Sequence, residues 1–379
     1  MITLTTDKKC TGCTACEQIC PKNAISMKCD KEGFLFPAID DNKCIECKKC
    51  INVCSAENLP AKTEPVQIFA ARAKNEDVVA HSSSGGVFTL LANLIISGSG
   101  VVYGAGFDEN FAVVHKRAET CEDAAQLAGS KYVQSFLVDT FKNVQKDLHS
   151  GKQVLFVGTP CQCAGLKSFL GNAEYENLLM ADFVCHGVPS AVLYKKYIEE
   201  ISCGKKVVRV NFRSKTKGEK GYRMGIDFAD GNQYRSEVVR DPYLLAYAQN
   251  ISLRKSCYTC SFKDFHLASD ITLGDFWGIE DTDSFLNDKQ GVSLVMINSQ
   301  KGAAAFEAVR GDIDTDSRLL EEATAKNPSI LCGVKKNPLR EKYLKDSDRL
   351  DINKLADKYC GNSYTAKLRR LIAKCRKDR

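Results

Sequence analysis

Beyond residue 66 the chain alternates short apolar runs with stretches of helical periodicity. "QVLFVGTP" (153–160) and "NLLMADFVC" (177–185) are near-continuous apolar runs of strand length, the pattern of strands covered on both faces. Helical patterns follow each of them, "AGLKSFL" (164–170) and "AVLYKKYIEEI" (191–201), and "GVSLVMINS" (291–299) is followed in the same way by "KGAAAFEAV" (301–309). Between them lies a β-rich piece, "VVRVNFRSK" (207–215) and "YRMGIDFADGNQYRSE" (222–237), where Asp230-Gly231 between alternating segments predicts a hairpin. A larger α/β domain with a mixed sheet is therefore expected from about residue 67 to 335.

The first sixty residues follow a different rule. Cys10, Cys13, Cys16 and Cys20 are spaced C-x2-C-x2-C-x3-C, and Cys44, Cys47, Cys50 and Cys54 repeat that spacing 34 residues later. In such duplicated modules each CxxCxxC loop holds three corners of a [4Fe-4S] cubane, and its fourth cysteine ligates the other one. The expected sets are Cys10, Cys13, Cys16 and Cys54, and Cys44, Cys47, Cys50 and Cys20. Zinc needs only four ligands per site and has no use for the exchanged cysteine. The fold class expected is thus α+β: a bacterial-ferredoxin-like module over 1–58, a linker over 59–66 ("NLPAKTEP" lies across it), the α/β domain, and a basic helical tail over 336–379.

Nineteen cysteines in 379 residues point to metal or redox chemistry, because disulfide-dense chains are short and secreted. The longest uncharged apolar stretch, Val87 to Ile96, is half of the ~20 residues a membrane span requires, and no apolar leader follows Met1. A cytoplasmic location is the expectation. The net charge of +6 is concentrated from Lys335 to Arg379, which holds 15 basic against 6 acidic residues. Leu368, Leu371, Ile372 and Cys375 stand at i, i+3, i+4 and i+7 there, the pattern of a basic amphipathic helix that is either solvated or held at a partner or an anionic membrane surface. No finger spacing or RNP-type aromatic motif accompanies the charge, so no nucleic-acid partner is expected.

Three further places carry chemistry. "HSSSGGVFTLLANLI" (81–95) sets Ser84, Gly85 and Gly86 before an amphipathic helix, which serves either as an ordinary cap or as a phosphate seat. Cys161 and Cys163 in "VLFVGTPCQCAGL", and Cys185 in "FVCHGVPS", fall at the carboxyl ends of predicted strands, where ligands gather in open α/β sheets. "RKSCYTCSF" adds Cys257 and Cys260, and "SDITLGDFWGIE" ends a strand in a Gly-Asp-aromatic-aromatic-Gly turn. No Walker loop and no C-x3-C-x2-C order of radical S-adenosylmethionine chemistry is present.

In that order, "SSGGVFTLL", "GSKYVQS", "GTPCQ", "CHGVPS", "CYTC" and "ITLGDFWG" behind a two-cluster module resemble the coenzyme F-420 hydrogenase/dehydrogenase beta-subunit family, from about residue 5 to about 300. The resemblance implies an iron-sulfur flavoprotein oxidoreductase that binds FAD and passes electrons between clusters and a two-electron acceptor. Deazaflavin-like molecules and polysaccharide-pathway substrates are the acceptors it suggests. Resemblance and spacing together give a third [4Fe-4S] site from Cys161, Cys185, Cys257 and Cys260, with Cys163 the rival of Cys161. FAD contacts are expected from Ser84, Gly85, Gly86, Lys131, Tyr132, Arg213, Asp275, Phe276 and Trp277, and His186 is either a proton donor or a hydrogen-bonded turn residue. The partners implied are an electron-carrier protein or partner redox subunit and a small-molecule acceptor. A relay subunit with no reaction of its own is the alternative.

Overall fold

The computed structural model describes residues 9–215, 222–286 and 291–361. Its N-terminal module contains an antiparallel ribbon, β1 (Ile25–Cys29) and β2 (Leu35–Ile39), and two short helices, Ala15–Gln18 and Lys49–Asn52. The body begins with β3 (Gln67–Ala73), β4 (Val101–Phe107), β5 (Val113–Ala118), β6 (Val154–Gly158) and β7 (Leu178–Phe183). A three-stranded antiparallel sheet follows, β8 (Val207–Ser214), β9 (Arg223–Phe228) and β10 (Gln233–Glu237), and then β11 (Ile271–Asp275), β12 (Ser293–Ile297) and β13 (Ile313–Ser317). The expected hairpin at Asp230-Gly231 joins β9 to β10, with Gly231 at φ 81°.

Eight strands make one mixed sheet in the order β13-β3-β12-β11-β7-β6-β4-β5. Its centre, β4, β6, β7 and β11, is parallel, and the flanking strands are antiparallel. The continuous apolar runs are explained by burial on both faces: every residue of β12 is buried, as are the first five of β7. Because β6, β7 and β11 run the same way, the segments that follow them (Cys161, Cys185 and the Asp275 turn) emerge at one edge.

The module is built onto the body. Ala15 and Val53 share a core with Leu137, Phe141, Phe156, Cys163 and Phe169, and Gln18 Oε1 accepts the Phe141 N–H at 2.9 Å. The segment expected as a linker is fastened too: the Thr63 N–H donates to Phe265 O at 2.9 Å and that of Val66 to Ile297 O at 2.7 Å. Part of the expected basic tail is also interior. Tyr343, Leu344, Ile352, Leu355 and Cys360 join the core that backs β8 and β9, and the fully buried Arg340 holds Glu32 of the module by two hydrogen bonds of 3.1 and 2.7 Å. The charge count misled because the stretch buries one face of helix Ile352–Cys360 while its lysines stay outside. The amphipathic pattern at Leu368–Cys375 lies outside the described residues.

Candidate redox site

The 34-residue repeat extends to the backbone. Gly12 and Glu46 are left-handed at φ 71° and 52°, and so are Thr14 and Lys48 at 63° and 61°. A left-handed Glu or Lys is uncommon, and its recurrence at matched positions marks loops bent to one shape. Cys20, Cys44, Cys47 and Cys50 line one hollow of about 350 Å³, and Cys10, Cys13, Cys16 and Cys54 line another of about 400 Å³; Cys50 borders both. Cys54 thus sits with the first loop and Cys20 with the second. Electrostatic reach agrees: Cys13 and Cys16 feel Cys10 and Cys54, and Cys50 feels Cys47 and Cys20. Burial pushes the Cys13 thiol up to about 11 and Cys16 further still, so these sulfurs stay protonated until a metal displaces the protons.

Among the described residues no three Cys, His, Asp or Glu side chains converge tightly enough for a single metal ion. Each hollow is lined by four cysteines of the exchanged set, and soft thiolates are the ligands iron-sulfur clusters take. The outer hollow is near solvent, with Cys47 and Ile45 exposed. The inner one faces the body: a Cβ added to Gly165 of helix Pro160–Phe169 would stand 3.0 Å from Cys13 Sγ.

One turn before Gly165, Cys161 opens the same helix behind the Thr159-Pro160 start, whose Thr159 N–H donates to Gln162 Oε1 at 3.0 Å. Its sulfur lies within electrostatic reach of Cys260, Cys185 and Cys257, and burial raises it well above the usual thiol range. Burial likewise lifts Cys257 to about 12, with Cys185 and Cys260 adding to the rise. Gly187, at φ 132°, leaves room for Cys257, whose Cβ would be 3.1 Å from an added methyl. Cys163 points elsewhere, its Sγ 3.6 Å from the Ala181 carbonyl oxygen within the sheet core. The structure thus brings Cys161, Cys185, Cys257 and Cys260 together and leaves Cys163 out.

From this set an aromatic path runs outward. Tyr247 lies within reach of Cys185 and Cys257, stacks on Tyr132 at 4.7 Å, and has His186 at 5.1 Å. His186 Nε2 is 2.6 Å from Asn250 Oδ1, and burial lowers its pKa, so it is held as a neutral, hydrogen-bonded ring. Beyond Tyr132, Arg213 pairs with Asp275 at 2.6 Å, lies over the Tyr222 ring at 4.5 Å, and keeps a buried Nε with no hydrogen-bond partner. Lys131 Nζ donates to Leu127 O and Ala128 O at 2.7 and 2.9 Å, and burial pulls its pKa down to about 7. Lys215 Nζ meets the Ser84 carbonyl at 3.1 Å, which places a third cation beside the serine loop.

The serine loop itself differs from expectation. Ser84 Oγ donates to Val292 O, and the Gly85 N–H to Ser293 Oγ, both at 2.9 Å, so neither group is turned to a ligand. Gly85 is small because a Cβ there would stand 2.3 Å from Ala71 O, and Gly86 is left-handed, φ 90°, to start helix Val87–Ser97. Phe276 is in the core with Ile279, Leu286, Val292 and Leu294, whereas Trp277 is half exposed. Internal hydrogen bonds hold Ser84 and Gly85, and packing holds Phe276.

Residues 151–318 match the family model for the C-terminal part of the coenzyme F420 hydrogenase/dehydrogenase beta subunit, and residues 9–58 match the 4Fe-4S dicluster domain. The chain thus has a region similar to the C-terminal part of that beta subunit behind a dicluster module. It is an iron-sulfur redox protein whose role is electron transfer. Similar in structure is a chain from the F420-reducing [NiFe] hydrogenase complex of Methanosarcina barkeri, at 18% identity and TM-score 0.47, covering 78% of this chain and 92% of that one. No curated protein matches the chain. No helix among the described residues is long and apolar enough to cross a membrane.

Sequence reasoning missed Tyr247, Lys215 and Arg254. Arg254 carried a signal, since it stands three residues before Cys257. Tyr247 lies in "PYLLAYA", which reads as plain core, and only the fold turns it toward the cysteines.

Proposed function

We propose that this chain is an iron-sulfur flavoprotein oxidoreductase with three [4Fe-4S] sites and FAD, taking electrons from a carrier protein or partner redox subunit to a two-electron acceptor, deazaflavin-like or from a polysaccharide pathway. The family's description is one of subunits, which favours a partner. The observation that carries the reading is the path from Cys185 and Cys257, within electrostatic reach of Tyr247, through the Tyr247–Tyr132 stack to Arg213, within reach of Tyr132, where a buried donor lacks a partner. Clusters move single electrons and a flavin couples them to two-electron chemistry.

The residues divide the work. Cys20, Cys44, Cys47 and Cys50 form the outer set, which Ile45 and Cys47 leave open to a carrier. Cys10, Cys13, Cys16 and Cys54 form the middle set, and Cys161, Cys185, Cys257 and Cys260 the inner one. Lys131, Lys215 and Arg213 supply positive charge for a diphosphate, and Tyr132 and Trp277 offer aromatic faces. His186 gives its Nε2–H to Asn250 Oδ1, which leaves Nδ1 of the neutral ring as a proton acceptor.

Protein purified without oxygen is expected to be brown and to release FAD on heating; material with iron but no flavin overturns the flavin half of the reading. Arg213→Ala is expected to retain about a tenth of the flavin or less, since it removes a cation and leaves Asp275 unpaired. Unchanged flavin content would move the binding site elsewhere. Between the rival thiols, Cys161→Ser is expected to lose about four irons and Cys163→Ser none, as read by iron analysis of the two proteins.

A further inference from the structure

Arg254 is 1% exposed, among the largest fully buried side chains of the protein. Its Nε donates to Cys10 O at 2.8 Å, Nη1 to Gln134 Oε1 at 3.2 Å, and Nη2 to Leu35 O at 2.8 Å and to Cys10 Sγ at 3.6 Å. The guanidinium lies over the Phe36 ring at 4.3 Å and near Phe34 at 5.5 Å. Gln134 completes the clasp, its Nε2 donating to Thr11 O at 3.2 Å. Every one of these partners is neutral except a thiol that can become a thiolate, and among the described residues no carboxylate pairs with the cation. A buried charge without a counter-charge is costly. The missing anion is at hand if Cys10 holds a cluster, because a cube with four thiolates is negative when oxidised and more so when reduced.

The backbone of Arg254 serves the other site. Its N–H donates to Val188 O at 2.9 Å and its carbonyl accepts the Cys257 N–H at 3.0 Å. One residue thus stands between the Cys10 set and the Cys257 set.

We propose that Arg254 is the internal counter-cation of the Cys10-bearing cluster, raising its reduction potential through its charge and its N–H···S bond and thereby setting the step between the dicluster module and the inner cysteine site. The inference rests on the reading that Cys10, Cys13, Cys16 and Cys54 hold one cluster. A positive charge and a hydrogen bond to the sulfur favour the more negative, reduced state, so removing them lowers the potential. Arg254 acts through the cysteine and is a positioning and tuning residue.

The test is an EPR-monitored redox titration of the full chain, prepared without oxygen, as wild type, Arg254→Gln and Arg254→Lys. Arg254→Gln is expected to retain its iron and to show about a tenfold lower reduced-to-oxidised ratio at the wild-type midpoint of one ferredoxin-type signal, a shift of about 59 mV negative for one electron. Arg254→Lys, which keeps the charge, is expected to recover at least half of that shift. Intact iron with unmoved midpoints would make Arg254 a mere staple and overturn the proposal. Where neither variant folds, wild type labelled with 15N-arginine decides: hyperfine coupling of a guanidinium nitrogen to the reduced cluster is expected, and its absence overturns the proposal. Failure of the ligand set itself looks different, because Cys54→Ser would then leave the module with its full complement of iron.

Discussion

Converting Cys161, Cys185, Cys257 and Cys260 together to serine is expected to lower bound iron from about twelve to about eight atoms per chain, with acid-labile sulfide falling in step. These four side chains come from three separate segments, and nothing in strand or helix formation requires sulfur at their junction. Burial raises Cys161, Cys185 and Cys257 above the ordinary thiol range. A metal that holds them as thiolates supplies the compensating charge, which a serine hydroxyl does not. The dicluster signals should survive, since Cys10 and Thr11 are held to the body by Arg254 and Gln134 and not by the replaced side chains. Iron analysis with EPR of the reduced protein reads both. A wild type with only about eight irons, or a variant that keeps all twelve or so, would remove the inner cluster from the electron path.

How far the sequence foretold this arrangement depended on whether the relevant contact was local. The 34-residue repeat was legible because a cluster loop is specified by spacing, and Gly12 with Glu46 and Thr14 with Lys48 repeat its backbone shape. The central sheet strands β6, β7 and β12 were legible because they are buried on both faces and carry near-continuous apolar runs. The serine-glycine loop gave two physical readings, and its internal bonds were not legible: Val292 and Ser293, at the start of β12, engage Ser84 and Gly85 from 208 residues away in sequence. Phe276 was ambiguous for the same reason, as an aromatic in a turn faces core or ligand according to what packs beneath it. Tyr247 and Arg254 have their roles from partners more than a hundred residues distant, Tyr132 and Cys10, which no periodicity encodes.

Anion affinity at the proposed flavin cleft is expected to fall by up to tenfold for each pH unit above about 7, the value to which burial lowers Lys131. In the empty cleft the ammonium is desolvated and releases its proton early. A diphosphate beside it would favour the charged form and restore a pKa toward the ordinary lysine range, so above pH 7 binding takes up one proton. Stability follows the same linkage. Between about 7 and the ordinary lysine value the unfolded chain holds a proton that the empty folded protein has released, so the flavin-free protein gains stability as pH rises through that window; below it both states are protonated and the full cost of burying the charge is present. Calorimetric titration of flavin-stripped protein with FAD at about pH 6.5 and about pH 8.5 should therefore show a loss of about 25-fold at most, with the proton uptake visible in buffers of different ionisation enthalpy. Lys131→Gln should bind more weakly at the lower pH and lose the slope. An affinity flat across that interval in the wild type would mean that the phosphates do not lie against Lys131, and that Arg213 and Lys215 would have to hold them alone.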